Sequence, residues 1–193
     1  MSQSTLISNL IEKGWFYQEN FFTNEVVDKL VKECNSRSFF KAGIGKCRSI
    51  DENIRSDEIS WLTDNEYSDS VIKYISFIKE LSNVFNRELF LGLNDYEAHF
   101  ATYPVGAFYK PHFDNFRGKN NRVITVIIYL NQEWTDSDGG EICLYGDNKK
   151  ILLNPTGGSI LCFISSDILH EVLPTNKERM SLTCWLLNNK NII

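Results

Sequence analysis

The chain has 193 residues, 42% of them hydrophobic and 23% charged, with a formal net charge of −5. That length and balance suit one soluble domain with its own core, and the acidic sign excludes a broad surface for nucleic acid or anionic membrane. No stretch reaches the ~20 apolar residues of a membrane helix, and residues 1–16 lack the basic and apolar regions of a secretory signal. The expected setting is therefore the cytoplasm. The five cysteines (Cys34, Cys47, Cys143, Cys162 and Cys184) show no C-x-x-C spacing, so neither a disulfide framework nor a four-cysteine zinc site is expected. Three of them, Cys143, Cys162 and Cys184, sit in apolar runs and read as small buried hydrophobes.

In chain order, Thr23 and Asn24 can cap a first helix whose apolar positions are Val26, Val27, Leu30 and Val31. The stretch Lys41–Glu58 carries Gly43, Gly45 and many charges with little periodicity, and reads as an exposed loop or ribbon. A longer helix is expected over Asp64–Arg87, with Val71, Ile72, Ile75, Ile78, Leu81 and Phe85 as a stripe that packs on a sheet. From about Asp95 the rhythm changes to short strands separated by Gly, Asn, Asp and Pro. These are Tyr96–Tyr103, Phe108–Phe113, Arg122–Leu130, Glu141–Tyr145, Ile151–Leu153, Ser159–Ile164, Glu171–Leu173 and Arg179–Leu187. Eight short strands after a helical preface predict a mainly β fold with helical support, a cupin-like jelly roll or double-stranded β-helix braced by N-terminal helices. One domain spans residues 1–193: mostly helical support and a substrate loop over 1–90, the catalytic core over 91–190.

Two of the three histidines stand in one chemical frame. His112 and Asp114 are two apart, so on a strand they project to the same face, as a chelating pair must. His170 follows the Ser165-Ser166-Asp167 loop and precedes a strand, which suits a third ligand at the mouth of a jelly roll. Two imidazoles and one carboxylate make a set that holds Fe(II) on one face and leaves the other open. A lone His-x-Asp is more often a surface hydrogen-bonded pair, so the distant histidine carries the argument. His99, mid-strand, reads as a structural histidine with its hydrogen bonds satisfied.

On the last strand Arg179, Ser181, Thr183 and Trp185 share a face, while Met180, Leu182 and Cys184 take the other. A charged set pointing into an apolar sandwich needs a partner. Either Arg179 pairs with an internal acid, or it takes the carboxylate of a bound cosubstrate. Tyr129, sharing a face with Thr125 and Ile127, is placed to donate to the same carboxylate. Arg55 and Asp57, two apart in an extended stretch, share a face and can hold each other or a peptide backbone. The basic Lys41, Lys46, Arg48 and Arg55 make that segment either a substrate-gripping element or a plain solvated loop.

The pattern Tyr103-Pro104, Tyr109…His112-x-Asp114, Tyr129-Leu130-Asn131, Gly139-Gly140, His170-Glu171-Val172, Arg179 and Trp185 resembles the iron(II)- and 2-oxoglutarate-dependent oxygenases. Within them it is most similar to the Egl-nine, hypoxia-sensing type of prolyl hydroxylase and its bacterial relatives. Ile54-Arg55-Ser56-Asp57-Glu58-Ile59-Ser60-Trp61 extends the likeness, so it covers roughly residues 40–190. The resemblance implies Fe(II) on His112, Asp114 and His170, and 2-oxoglutarate on Arg179 and Tyr129 with Tyr103 and Thr183 nearby. It implies Tyr109 beside the metal, Trp185 and Arg122 at the substrate mouth, and Arg55 and Asp57 at a peptide-facing rim. O2 is the second cosubstrate and ascorbate a supporting reductant. The implied reaction forms 4-hydroxyproline in a protein, with 2-oxoglutarate leaving as succinate and CO2. The implied partner is a protein carrying the target proline, a translation factor being the first candidate, and the implied state is a monomer. Glu141 and the segment Lys41–Asn53 depart from the family pattern, so the likeness speaks to catalysis more than to substrate identity. Two other readings stay open: the same chemistry on a free amino acid or small molecule, and a non-catalytic cupin-like binding module.

Overall fold

Strand alternation sorts the second half of the chain onto two faces, and that sorting sets the layers. The computed structural model describes residues 3–43, 50–63, 67–115, 121–146 and 149–189. In chain order the elements are α1 (Gln3–Lys13), β1 (Trp15–Gln18), α2 (Asn24–Asn35), β2 (Phe40–Lys41), β3 (Glu58–Trp61) and α3 (Asp69–Leu89). There follow β4 (Asp95–Tyr103), β5 (Tyr109–His112), β6 (Arg122–Tyr129), β7 (Ile142–Tyr145), β8 (Lys150–Leu153), β9 (Ile160–Ile164), β10 (His170–Val172) and β11 (Arg179–Leu187).

A seven-stranded sheet in the order β1-β9-β6-β11-β4-β3-β2 faces a four-stranded sheet in the order β5-β10-β7-β8. Every pairing between strands is antiparallel. From β4 to β11 the chain passes repeatedly between the two sheets, which is the expected jelly roll. One face of the large sheet (Phe100, Val126, Ile128, Cys162, Leu182, Cys184, Leu186) is covered by Leu6 and Leu10 of α1, Val27 and Leu30 of α2, and the stripe of α3. Its other face turns toward the small sheet and carries Ile127, Tyr129, Leu161 and Phe163 on one side and Ala101 and Tyr103 on the other. The helices therefore stiffen one face of the large sheet while the opposite face is left for chemistry.

All eight expected strands form, and the first 90 residues hold more β-structure than their rhythm suggests. β1 closes one edge of the large sheet against β9, and β2 and β3 extend the other edge beyond β4. The stretch Lys41–Glu58 is thus anchored at both ends; Ile50 is exposed, whereas Asp57 is 1% exposed. Gly45, Lys46, Cys47 and Arg48 lie outside the described residues, as do Asp64–Glu66 at the start of the expected second helix. That helix is α3, capped by Ser68, whose hydroxyl accepts from the Val71 amide. Two positions of the expected stripes are corrected: Ile72 is 50% exposed and Val26 is 40% exposed. Tyr74, one turn from the buried Val71 and Ile78, joins the stripe instead. α1 ends at Gly14, whose φ of +76° and close approach to Ile168 suit only glycine.

The two sides of α3 should separate in a stability test. Phe85→Ala, which empties a fully buried site under the large sheet, should cost about 3–5 kcal/mol in urea unfolding. Ile72→Ala should stay within about 0.5 kcal/mol. Equal losses would mean that α3 packs on a different face.

Candidate active site

β5 and β10 are neighbours in the small sheet, with His112 directly opposite His170. Cross-strand partners share a face, and the two imidazole centroids lie 4.3 Å apart. Asp114 follows two residues after His112, and one ligand atom from each of the three residues falls within 4.8 Å of the others. His112 Nε2 is 3.6 Å from Asp114 Oδ1 and His170 Nε2 is 3.8 Å from Asp114 Oδ2. Each imidazole has its Nδ1 on a backbone carbonyl, Lys110 O at 2.8 Å and Ile168 O at 3.1 Å. A carbonyl only accepts, so Nδ1 carries the proton and the Nε2 lone pairs face the carboxylate.

The carboxylate is braced from the other sheet. Thr125 Oγ1 donates to Asp114 Oδ2 at 2.7 Å and lies 2.9 Å from Ser165 Oγ. The hydroxyl protons therefore run in order from Ser165 to Thr125 to Asp114. Burial raises the Asp114 carboxyl, but His170, His112 and the Thr125 hydroxyl together hold it well below the usual carboxylate range. Burial and the neighbouring His112 push His170 down to about 4. A charged carboxylate and neutral imidazole nitrogens are the donor set that a divalent iron site requires.

The inward face of the large sheet leads from this triad to Arg179. On β11 the inward side chains are Trp185, Thr183, Ser181 and Arg179, and on β4 they are His99, Ala101 and Tyr103. Arg179 is 2% exposed, and among the described residues no acid pairs with it. The internal salt bridge considered from the sequence is therefore not formed. Its Nε donates to Gly140 O at 2.9 Å, and its guanidinium lies 4.7 Å from the Tyr103 ring and 5.2 Å from the Tyr129 ring. The Tyr129 hydroxyl is buried with no partner, and burial pushes both phenols up, so each remains an O–H donor. Gly140 has φ +67°, and a Cβ there would stand 2.9 Å from Thr175 Oγ1 and 3.1 Å from Arg179 Cδ. Only glycine lets the chain pass this close to the guanidinium. A buried cation and a buried orphan hydroxyl with no protein anion between them fit an anionic ligand.

At the rim, Arg55 grips Asp57 with both its Nε (2.7 Å) and a terminal nitrogen (2.5 Å). Asp57 is buried behind Arg55 and holds it in place. The guanidinium lies 4.2 Å from the Tyr109 ring, which stacks on His112 at 3.5 Å. On the other side Trp61, His99 and Trp185 form an aromatic wall with centroids 4.8–5.9 Å apart. Arg122 lies over Trp185 at 3.4 Å and pairs with Glu97 at 2.9 Å. Thr183 sits between His99 and Ile127 in the sheet. The expected site residues thus lie around the His112–Asp114–His170 group, along the inward face of the large sheet and at its rim. One expectation fails: His99 is not a satisfied structural histidine, because its Nδ1 is buried with no partner.

Residues 98–187 match the family described as the 2OG-Fe(II) oxygenase superfamily. A solved prolyl-4-hydroxylase from Pseudomonas putida aligns with a TM-score of 0.89 and 34% identity, covering 97% of this chain and all of that one. This chain belongs to the 2OG-Fe(II) oxygenase superfamily. A prolyl hydroxylase from Trichoplax adhaerens, solved with a hypoxia-inducible factor peptide fragment, aligns at 28% identity and TM-score 0.84, covering 96% of this chain and 89% of that one. The hypoxia-inducible factor prolyl hydroxylase of Caenorhabditis elegans is 29% identical over 95% of this chain, which spans 28% of that relative's length.

As an oxygenase of this superfamily the chain uses Fe(II) and 2-oxoglutarate, and the residues present fit both. The residue that sequence reasoning left without a role is Thr125. Its place on the same face as Tyr129 was visible, but its bond to Asp114 requires the two sheets to be brought together. Thr125→Val keeps the shape and removes the hydroxyl. It should weaken Mn(II) or Fe(II) binding, measured by calorimetry, about 10–100-fold. Unchanged affinity would show that Thr125 only fills space.

Proposed function

We propose that this oxygenase hydroxylates a prolyl residue of a protein, giving 4-hydroxyproline, with His112, Asp114 and His170 holding iron and Arg179 and Tyr129 holding 2-oxoglutarate. The observation that carries the reading is a buried cation and a buried hydroxyl with no protein anion between them. Among the described residues, a guanidinium buried with no acid and a phenol buried with no partner lie on the inward face that also presents Thr125 to the His112–Asp114–His170 group. A binding module of the same fold needs neither. The relatives acting on prolyl residues support the choice of proline, and the peptide bound to the Trichoplax enzyme supports a protein substrate.

Iron with 2-oxoglutarate and O2 supplies the oxidation, in which 2-oxoglutarate loses CO2 to become succinate and the substrate gains a hydroxyl group. The protein's own residues do the rest. Asp114 contributes the anionic ligand, and the two Nδ1–H···O=C bonds fix the imidazoles with Nε2 toward the metal. Arg179 offers a fork to the distal carboxylate while Tyr129 donates its O–H to the same group, and Tyr103 and Thr183 flank it. Trp61, Trp185 and Arg122 wall the mouth and limit water. Arg55, fixed by Asp57 and stacked on Tyr109, places a rigid edge where a peptide would lie. In this reading Lys41–Glu58 is a substrate-gripping segment, a translation factor is the first candidate partner, and the enzyme works as a cytoplasmic monomer.

The direct test is mass spectrometry of a pooled library of proline-centred peptides incubated with enzyme, Fe(II), 2-oxoglutarate and O2. A +16 Da shift on proline is expected, and oxidation confined to free amino acids would overturn the reading. For the cosubstrate, Arg179→Ala should raise the 2-oxoglutarate KM at least a hundredfold, from about 3–5 kcal/mol for an unpaired buried carboxylate. Arg179→Lys should restore part of the loss, since it lacks the planar fork. Tyr129→Phe should cost about 1–2 kcal/mol. Identical 2-oxoglutarate titrations for wild type and Arg179→Ala would displace the cosubstrate from this site.

A further inference from the structure

Among the described residues, five buried side-chain polar atoms have no hydrogen-bond partner, and four belong to residues on or beside the inward face of the large sheet: the Tyr129 hydroxyl, Asn115 Oδ1, His99 Nδ1 and Trp185 Nε1. The proposed cosubstrate accounts for Tyr129, and Asn115 is tied down through its amide, which donates to Arg122 O at 2.7 Å. His99 and Trp185 are left. They are 4% and 8% exposed, and their rings are 4.8 Å apart. His99 lies directly opposite Thr183 and Trp185 directly opposite Thr125, the residue that braces Asp114. Burying two such groups unsatisfied is costly unless a bound partner completes them.

We propose that His99 is a substrate-positioning residue, its Nδ1 making a hydrogen bond to a main-chain amide of the polypeptide that carries the target proline. This rests on the prolyl-hydroxylase reading above.

The charge state of the slot selects a peptide over a free amino acid. Burial, with Arg55 and Arg122 nearby, pushes His99 down to about 3, so its imidazole is neutral at physiological pH. The indole is neutral too, and Arg55 and Arg122 are paired with Asp57 and Glu97. A free amino acid brings an ammonium and a carboxylate, for which neutral partners are a poor exchange for water. A peptide group brings a neutral N–H and C=O, and Trp185 Nε1, which can only donate, matches the carbonyl.

The test compares wild type, His99→Leu and His99→Asn, the last because its side-chain amide reaches the place of Nδ1. The readouts are the KM for the best peptide of the proline-centred library and, separately, 2-oxoglutarate binding to the Mn(II)-loaded protein by calorimetry. His99→Leu should raise the peptide KM about tenfold, the worth of one hydrogen bond whose loss strands a buried group. His99→Asn should return to within about threefold of wild type, and 2-oxoglutarate binding should not move in either variant. A wild-type peptide KM in His99→Leu, an Asn variant no better than Leu, or a fall in 2-oxoglutarate affinity in step with the peptide KM would each overturn the role of His99 alone. A wild-type enzyme that oxidises free L-proline but no peptide would instead overturn the prolyl-protein reading, and this one with it.

Discussion

The Asp114 carboxylate is the point at which the two sheets depend on each other. A buried anion is tolerated only where donors or cations surround it. Here the donor, Thr125, comes from the large sheet, while His112 and His170, on adjacent strands of the small one, turn their Nε2 atoms toward the same carboxylate. If β5 and β10 slipped by one residue, one imidazole would turn outward. If the sheets moved apart, the carboxylate would lose Thr125. The jelly roll is thus matched to its site: helices stiffen the outer face of the large sheet, and the ligands need only the correct register in the small one.

Much of this was legible in the sequence because β-structure declares its faces. His112 with Asp114, and Arg179 with Thr183 and Trp185, sort by period-2 alternation, and the eight strands from β4 onward follow from their turn residues. What was not legible depended on contacts distant in the chain. β2 is two residues long and β1 and β3 are four each; strands that short form only because an existing sheet edge offers them partners. Val26 and Ile72 fit an apolar period but sit at the edge of their stripes and stand in water. His170 had no spacing to place it until β10 paired with β5.

His99 shows a different limit. Mid-strand between alanine and phenylalanine, it looks structural by every local criterion, and a structural histidine should be satisfied. The structure leaves it buried, unpartnered at Nδ1 and wedged between two tryptophans. Local pattern predicts burial well, but it cannot say whether a hydrogen bond is made within the chain or kept for a ligand. That distinction appears only in the three-dimensional tally of donors and acceptors.

The rim is also linked to the proposed metal triad through ring faces. Asp57 fixes Arg55, Arg55 covers Tyr109, and Tyr109 stacks on His112. Each contact is short and each member is at least partly buried, so Arg55 at the rim and His112 of the proposed metal triad share one column. Asp57 carries the only negative charge in that column, and it is sealed beneath Arg55. A displaced Arg55 would leave that charge buried and unpaired, a cost of several kcal/mol. The column is therefore held in one arrangement before any substrate arrives, consistent with a site whose rate depends on placing a single C–H bond against its oxidant.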